Sequence, residues 1–297
     1  MENKDNEVSF ETHKVTCINL MGTHEIACNV YPGAPDKTVL CLHGFTRNRF
    51  DFHFLAQFLA SHGWRVITMD FVGRGESTYF GDPHRYVAAQ NWCDIQRVLY
   101  HFKVTELHII GTSFGGWQSI FSAVNPALNV TSIILNDVGP SLSYDMVHAI
   151  NDYSSEHMQF DSIDDVEAEL RTRYGGSTVS TWNLQESQWR HFAEHSARKL
   201  ENGKYSLAYD TALVKGLGYE YNHQAYDMWN VWEQVKCPTF VFRGELSDIF
   251  THDSLARMQE TGPSDFSSMT ISNAGHHPML SSEAEETAIL DWLNRHN

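Results

Sequence analysis

Gly111-Thr112-Ser113-Phe114-Gly115 follows the apolar run Leu107-His108-Ile109-Ile110 and precedes a helix-compatible stretch at residues 117–124. A serine flanked by glycines where a strand turns into a helix is a nucleophile elbow. The glycines remove side chains that would clash in the tight turn, and the hydroxyl is exposed above the sheet. Serine is a weak nucleophile until an imidazole takes its proton, and the imidazole works best when a carboxylate fixes its tautomer and stabilises its cation. A histidine and an acid are therefore required at other strand ends. The histidines are adjacent in Asn273-Ala274-Gly275-His276-His277-Pro278, just past the β-like run 268–271. Three acids fit: Glu245 and Asp248 in the loop after the run 239–243, and Asp137 at the end of the run 131–136. A tetrahedral intermediate also needs donors for its oxyanion. The backbone N–H of Phe114, next to the nucleophile, and that of Phe45, in His43-Gly44-Phe45 past the run 38–42, are the candidates.

A second chemistry competes. His191-Phe192-Ala193-Glu194-His195 matches H-x-x-E-H, which sets two imidazoles four residues apart on one helix face, as in a family of zinc peptidases. Taking it as the active site leaves the elbow, the oxyanion loop and the acid–histidine loops as coincidences. The expectation is serine chemistry with no catalytic metal, His191 and His195 being surface features of a helix.

The elements that must position these groups follow from periodicity. Residues 14–20 and 25–31 read as an antiparallel hairpin after a polar, frayed start. Strands at 38–42, 64–69, 106–110 and 131–136 then alternate with helices at 50–62 and 86–102 and with the elbow helix. Such alternation predicts an α/β fold, a mostly parallel central sheet with helices on both faces. The rhythm breaks after Gly139-Pro140. Residues 141–235 offer helical pieces at 145–153, 162–173 and 187–200, no convincing strand, and Trp182, Trp189, Trp229 and Trp232. They read as an inserted helical lid between two parts of one core, 1–140 and 236–297. In the second part, strand 239–243, helix 251–260, strand 268–271 and helix 282–295 complete the pattern.

A balance of 21 Lys plus Arg against 37 Asp plus Glu, formal net charge -16, repels phosphate backbones and makes nucleic acid an unfavourable partner. There is no apolar run long enough for a membrane span, and residues 1–7 lack a signal-peptide core, so a cytoplasmic protein is expected. Cys17, Cys28, Cys41, Cys93 and Cys237 are scattered without C-x-x-C spacing, which fits reduced thiols.

With His43-Gly44-Phe45, Asp70-Phe71-Val72-Gly73-Arg74-Gly75-Glu76-Ser77, Gly111-Thr112-Ser113-Phe114-Gly115-Gly116, Arg243-Gly244-Glu245-Leu246-Ser247-Asp248 and Gly275-His276 in this order, the chain resembles the lid-bearing serine α/β-hydrolases over nearly its full length. The resemblance implies an α/β-hydrolase fold and a triad in the order Ser113, Asp248, His276. It favours Asp248 over Glu245 and Asp137, and His276 over His277, which becomes a packing or hydrogen-bonding neighbour. Asp70, Gly73, Arg74 and Gly75 take a structural role beside the elbow. The activity implied is hydrolysis of small carboxylic esters through an acyl-enzyme, without metal or organic cofactor. Carbon–carbon bond and enol-lactone hydrolases are similar but often carry a more Gly-rich loop where this chain has Phe45-Thr46-Arg47-Asn48, and some members of the fold serve as small-molecule receptors. A serine at position 113 disfavours the branches that use an aspartate nucleophile, and the elbow differs from the Gly-Gly-Ser-Trp-Gly of proline iminopeptidases.

Overall fold

The computed structural model describes residues 7–155, 158–176, 181–221 and 225–297. An antiparallel hairpin comes first, β1 (Glu11–Asn19) and β2 (Gly22–Tyr31), turning at Gly22, whose φ of 124° suits a residue without a Cβ. The start of the chain ahead of it is more tied down than its polarity suggests. Residues 1–6 lie outside the described residues, but Val8 exchanges backbone bonds with the Gln57 side chain, and the Phe10 ring lies 4.9 Å from that of Tyr31.

Next in sequence are β3 (Ala34–Leu42), α1 (His53–Ser61) entered through a 3-10 turn at Arg49–Phe52, β4 (Trp64–Met69), α2 (Ala88–His101), β5 (Leu107–Thr112), α3 (Phe114–Ala123) and β6 (Val130–Asn136). With β11 (Thr239–Gly244) and β12 (Phe266–Ile271) they form one 8-stranded sheet in the order β1-β2-β4-β3-β5-β6-β11-β12. From β4 to β12 every neighbouring pair is parallel; β1–β2 and β2–β4 are antiparallel. Helices α9 (His252–Thr261) and α10 (Glu283–Arg295) accompany the last two strands, α10 opened by a capping box between Ser282 and Glu285.

Consecutive residues of a strand face opposite sides of the sheet. Ile109 and Ile133 thus enter one core with Val98, Ile120 and Val241, while Ile110 and Ile134 enter the other with Leu55, Leu59 and Trp292. A strand buried on both faces is largely apolar, which is why β5 carries Ile109-Ile110 and β6 carries Ile133-Ile134-Leu135; the buried His108 and Ser132 satisfy each other at 2.8 Å, and Thr112 and Asn136 close the two strands at their C-terminal ends. Those ends bear the site.

Residues 141–235 leave the sheet after β6 and return at β11. They hold α4 (Tyr144–Ser155), α5 (Ile163–Tyr174), α6 (Gln188–Ser196), α7 (Ala212–Tyr221) and α8 (Trp229–Trp232), with a third apolar cluster around Val166, Leu170, Trp182, Trp189 and Phe192. The segment is not purely helical. Short strands β7 (Ser141–Leu142) and β10 (Tyr226–Asp227) pair, as do β8 (Ala197–Lys199) and β9 (Tyr205–Leu207). The helix expected over 187–200 therefore stops at Ser196: the next three residues pair with β9 through a turn in which Gly203 takes φ 84°. Pairings this short leave no periodic signal.

Candidate active site

Ser113 sits at φ 51° and ψ -114°, between β5 and α3. Its glycine neighbours are required by contact. A Cβ at Gly115 would fall 2.0 Å from the Leu42 carbonyl oxygen, and one at Gly111 would fall 2.2 Å from Ser119 Oγ. The turn thus folds against β3 and its own helix with no room for a methyl group. The strain of a positive φ in a non-glycine residue is held by these contacts, and it projects the hydroxyl over the sheet.

That hydroxyl donates to His276 Nε2 at 2.9 Å, and His276 Nδ1–H donates to Asp137 Oδ2 at 2.7 Å. Asp137 follows β6, takes φ 51°, and is fully buried. It accepts further bonds from the Gly244 amide at 2.8 Å and from Ser247 Oγ at 2.6 Å. This corrects the acid expected from the sequence. Asp248 is exposed at the rim of the cleft, whereas Glu245 accepts from the Asn273 amide. The physical reason is that the loop 244–248 cradles the carboxylate instead of supplying it. β6 and β11 are hydrogen-bonded neighbours with Asn136 opposite Phe242, which brings the residue after β6 under the end of β11. Buried Arg243 stiffens the cradle by donating to the carbonyls of Ser247 and Phe250.

His277 is buried in the same cleft and accepts from Trp182 Nε1–H at 3.1 Å, while the serine's bond goes to His276. Burial holds its pKa well below the ordinary histidine value, so it is a neutral acceptor. The Trp182 ring stacks on Tyr174 at 4.0 Å, and Gly275 N–H donates to the Thr181 carbonyl at 2.8 Å. The insertion therefore holds the histidine loop from above. Asn136 holds it from below, donating to the Pro278 carbonyl at 2.7 Å.

The Phe45 loop is pinned on both sides of its N–H. His43 is buried and neutral, its pKa pushed well down by burial. Its Nδ1–H donates to the Gly44 carbonyl at 2.7 Å, and its Nε2 accepts from Phe71 N–H. Since carbonyl and N–H of a trans peptide point in opposite directions, fixing the Gly44 carbonyl also fixes the direction of the Phe45 N–H. Arg74 donates to the Phe45 carbonyl at 2.8 Å, and its guanidinium lies 5.2 Å from the ring centres of both Phe45 and Phe114. Burial lowers the Arg74 pKa to about 10, which still leaves it charged at neutral pH. The Phe114 amide opens α3, where the first N–H groups have no acceptor within the helix. The structural role expected of Asp70 also appears, since it accepts from the Arg49 and Glu76 amides and pairs with the Arg49 guanidinium.

Two spaces meet at Ser113. One is an apolar recess of about 40 Å3 walled by Phe45, Phe114, Trp117, Val138, Leu142 and Ile249. The other is an open cleft of about 360 Å3, walled largely by apolar groups such as Phe45, Met146, Ile150 and Ile249, with Thr46, Arg47, Tyr174, Asp248 and His277 as polar members. Arg47 is held by Asp51 through Nε at 3.0 Å and Nη2 at 2.6 Å, and it lies over the Trp182 ring.

His191 and His195 of the H-x-x-E-H motif do not meet a third candidate ligand among the described residues. His191 stacks on His53 of α1 at 4.5 Å, with Phe50, Phe54 and His195 around it, while Glu194 pairs with Arg190. The histidines join α6 to the core. Burial pushes the His191 pKa down to about 3 and lowers those of His53 and His195. In the unfolded chain these imidazoles protonate below the ordinary value of about 6.5. Between those pH values the unfolded state binds more protons, so stability rises with pH and is lost as pH falls from about 6.5 towards 3. Thermal melts at pH 7 and pH 5 are expected to show a smaller acid-induced loss for His191→Phe than for the wild type. Equal losses would contradict this role for the cluster.

A parallel sheet flanked by helices, with a serine on a tight strand-to-helix turn at its C-terminal edge, defines a class of α/β enzyme. A family model described as alpha/beta hydrolase fold matches residues 37–283, and the chain belongs to that family. It is 28% identical over 280 residues to a 3-hydroxybutyrate-oligomer hydrolase of Cupriavidus necator, covering 91% of this chain and 93% of that protein. It is 29% identical over 142 residues to a serine hydrolase-like protein of Danio rerio, covering 47% of this chain and 43% of that one. Among solved structures, an alpha/beta hydrolase from Novosphingobium aromaticivorans is similar with a TM-score of 0.83 and 28% identity, covering 96% of this chain and 98% of that one. No helix among the described residues is long and apolar enough to cross a membrane.

Proposed function

We propose that this hydrolase-family chain cleaves small carboxylic esters through an acyl-enzyme on Ser113. The observation that carries this reading is the continuous hydrogen-bonded line from Ser113 Oγ through His276 to Asp137, at 2.9 and 2.7 Å. Ser113 Oγ attacks the acyl carbon as His276 Nε2 takes its proton. Asp137 holds the imidazole in the Nδ1–H tautomer and stabilises the cation, and the amides of Phe45 and Phe114 receive the oxyanion. His276 then protonates the leaving alcohol, and water, activated by the same imidazole, releases the acid. Residues 141–235 act as a lid over the cleft, and five free cysteines are compatible with a reducing, cytoplasmic setting.

Cavity sizes support a short acyl group. A recess of about 40 Å3 holds only about three water-sized groups, at ~10–15 Å3 each. The larger cleft, mostly apolar with a polar rim that includes Thr46, Tyr174 and Asp248, suits the rest of the substrate. Similarity to a 3-hydroxybutyrate-oligomer hydrolase supports the same choice, an ester of short hydroxy acids. Steady-state hydrolysis of p-nitrophenyl acetate, butyrate and octanoate, beside the 3-hydroxybutyrate dimer, tests it. Expected is turnover of the dimer and of the short esters, falling steeply at octanoate. Preference for octanoate, or no turnover of any ester, would contradict the proposal.

A further inference from the structure

We infer that the β1–β2 hairpin and α2 build a metal site from Cys17, His24 and Asp94 that takes one divalent cation of the zinc type. Cys17 and His24 are cross-strand partners in the hairpin ladder, so their side chains leave the sheet on the same face, and Asp94 meets them from α2. One ligand atom from each lies within 4.8 Å of the others, and His24 Nε2 is 2.9 Å from Asp94 Oδ1. Ligands held at ~2.0 Å around a tetrahedral ion lie ~3.3 Å apart, so small side-chain shifts make room for one.

All three residues are buried, with exposures of 2%, 3% and 1%. Two polar atoms of the cluster, His24 Nδ1 and Asp94 Oδ2, have no hydrogen-bond partner among the described residues, although buried polar atoms are ordinarily satisfied. Gln90, one helical turn before Asp94, places its carboxamide nitrogen 2.8 Å from Asp94 Oδ1 and 3.5 Å from His24 Nε2. Rotated about its terminal bond, the amide presents an oxygen to the same centre as a fourth ligand. Thiolate, carboxylate and imidazole together balance a divalent charge in a place where an uncompensated charge is costly. A sulfur–nitrogen–oxygen set favours zinc over magnesium or calcium, which take oxygen.

The site is structural. β4 and β3 lie between β2 and β5, the strand that leads into Ser113, and an ion here ties the exposed hairpin turn at Leu20 and Met21 to α2.

Cobalt(II) is the probe, titrated into the chelator-stripped full chain carrying Cys93→Ser, which removes the exposed thiol. Expected is saturation at a single equivalent, with a near-ultraviolet thiolate-to-cobalt charge-transfer band and a raised melting temperature. Cys17→Ser in that background should lose the band and weaken binding by more than the ~10–100-fold that loss of an outer partner costs, while His191→Phe titrates like its parent. If Cys17→Ser does not fold, Asp94→Asn, which keeps the thiol, should weaken binding comparably. No band in the parent chain, a band that survives Cys17→Ser, or undiminished binding by Asp94→Asn would overturn the inference.

Discussion

Asp137→Asn is expected to lower kcat for ester hydrolysis by roughly 10^4, the order seen when the carboxylate of a serine triad becomes an amide. Asp137 accepts three hydrogen bonds, from His276 Nδ1, Ser247 Oγ and Gly244 N. An asparagine must turn its amide nitrogen towards one side of this cradle. Facing Gly244 N–H, it sets two donors against each other. Facing His276, it demands a ring nitrogen without hydrogen, which drives the imidazole to the other tautomer and removes the acceptor for the Ser113 proton. KM should change little, because Asp137 lies beneath the histidine and outside both substrate spaces. Asp248→Asn provides the contrast. Its side chain stands exposed at the cleft rim, so kcat should stay within a few-fold of wild type. A large loss for Asp248→Asn with a small one for Asp137→Asn would return the acid to the loop after β11.

Ser113→Ala is expected to cost more, roughly 10^6 in kcat, because it removes the covalent route altogether. A residual rate of roughly 10^3–10^4 over uncatalysed hydrolysis should survive, since neither amide at Phe45 and Phe114 depends on the serine side chain. Alanine at this position keeps the backbone strained at φ 51° without adding volume, so the variant should fold. Steady-state rates with p-nitrophenyl butyrate, beside melting curves that verify folding, give the comparison. A loss smaller than about tenfold would remove Ser113 from the chemistry.

The elbow and the histidine were legible in the sequence because their signals are local. Two glycines stand where a Cβ meets Leu42 and Ser119, and a histidine follows Ala274-Gly275 after β12. The alternating elements were legible for the same reason, since a buried parallel strand needs a largely apolar run. The acid was not, because its position depends on register. Asp137 and Asp248 both follow strands that end near the histidine, and only the pairing of Asn136 with Phe242 brings Asp137 under His276. A sequence signal did exist in the polar pair Asn136-Asp137 closing the run Ile133-Ile134-Leu135, where a carboxylate fully buried at a strand end requires a partner. Arg243 and Trp182 were equally opaque as supports of the site, and for Arg74 a structural role was legible but not its partner. Their acceptors, the carbonyls of Phe45, Ser247 and Phe250 and the ring of His277, are set by loop geometry and have no residue-type signature. The strand at 197–199 was read as the end of a helix and its partner at 205–207 was given no element, because three residues show no period.

The most direct measurement is the intact mass of the protein after reaction with a fluorophosphonate ester, followed by peptide mapping. Such a reagent traps a serine activated by a neighbouring imidazole and an oxyanion site. The predicted result is a single adduct, stoichiometric, carried by the peptide containing Ser113, absent in Ser113→Ala and strongly slowed in Asp137→Asn. No adduct, or an adduct on a residue other than Ser113, would contradict acyl-enzyme chemistry at this site.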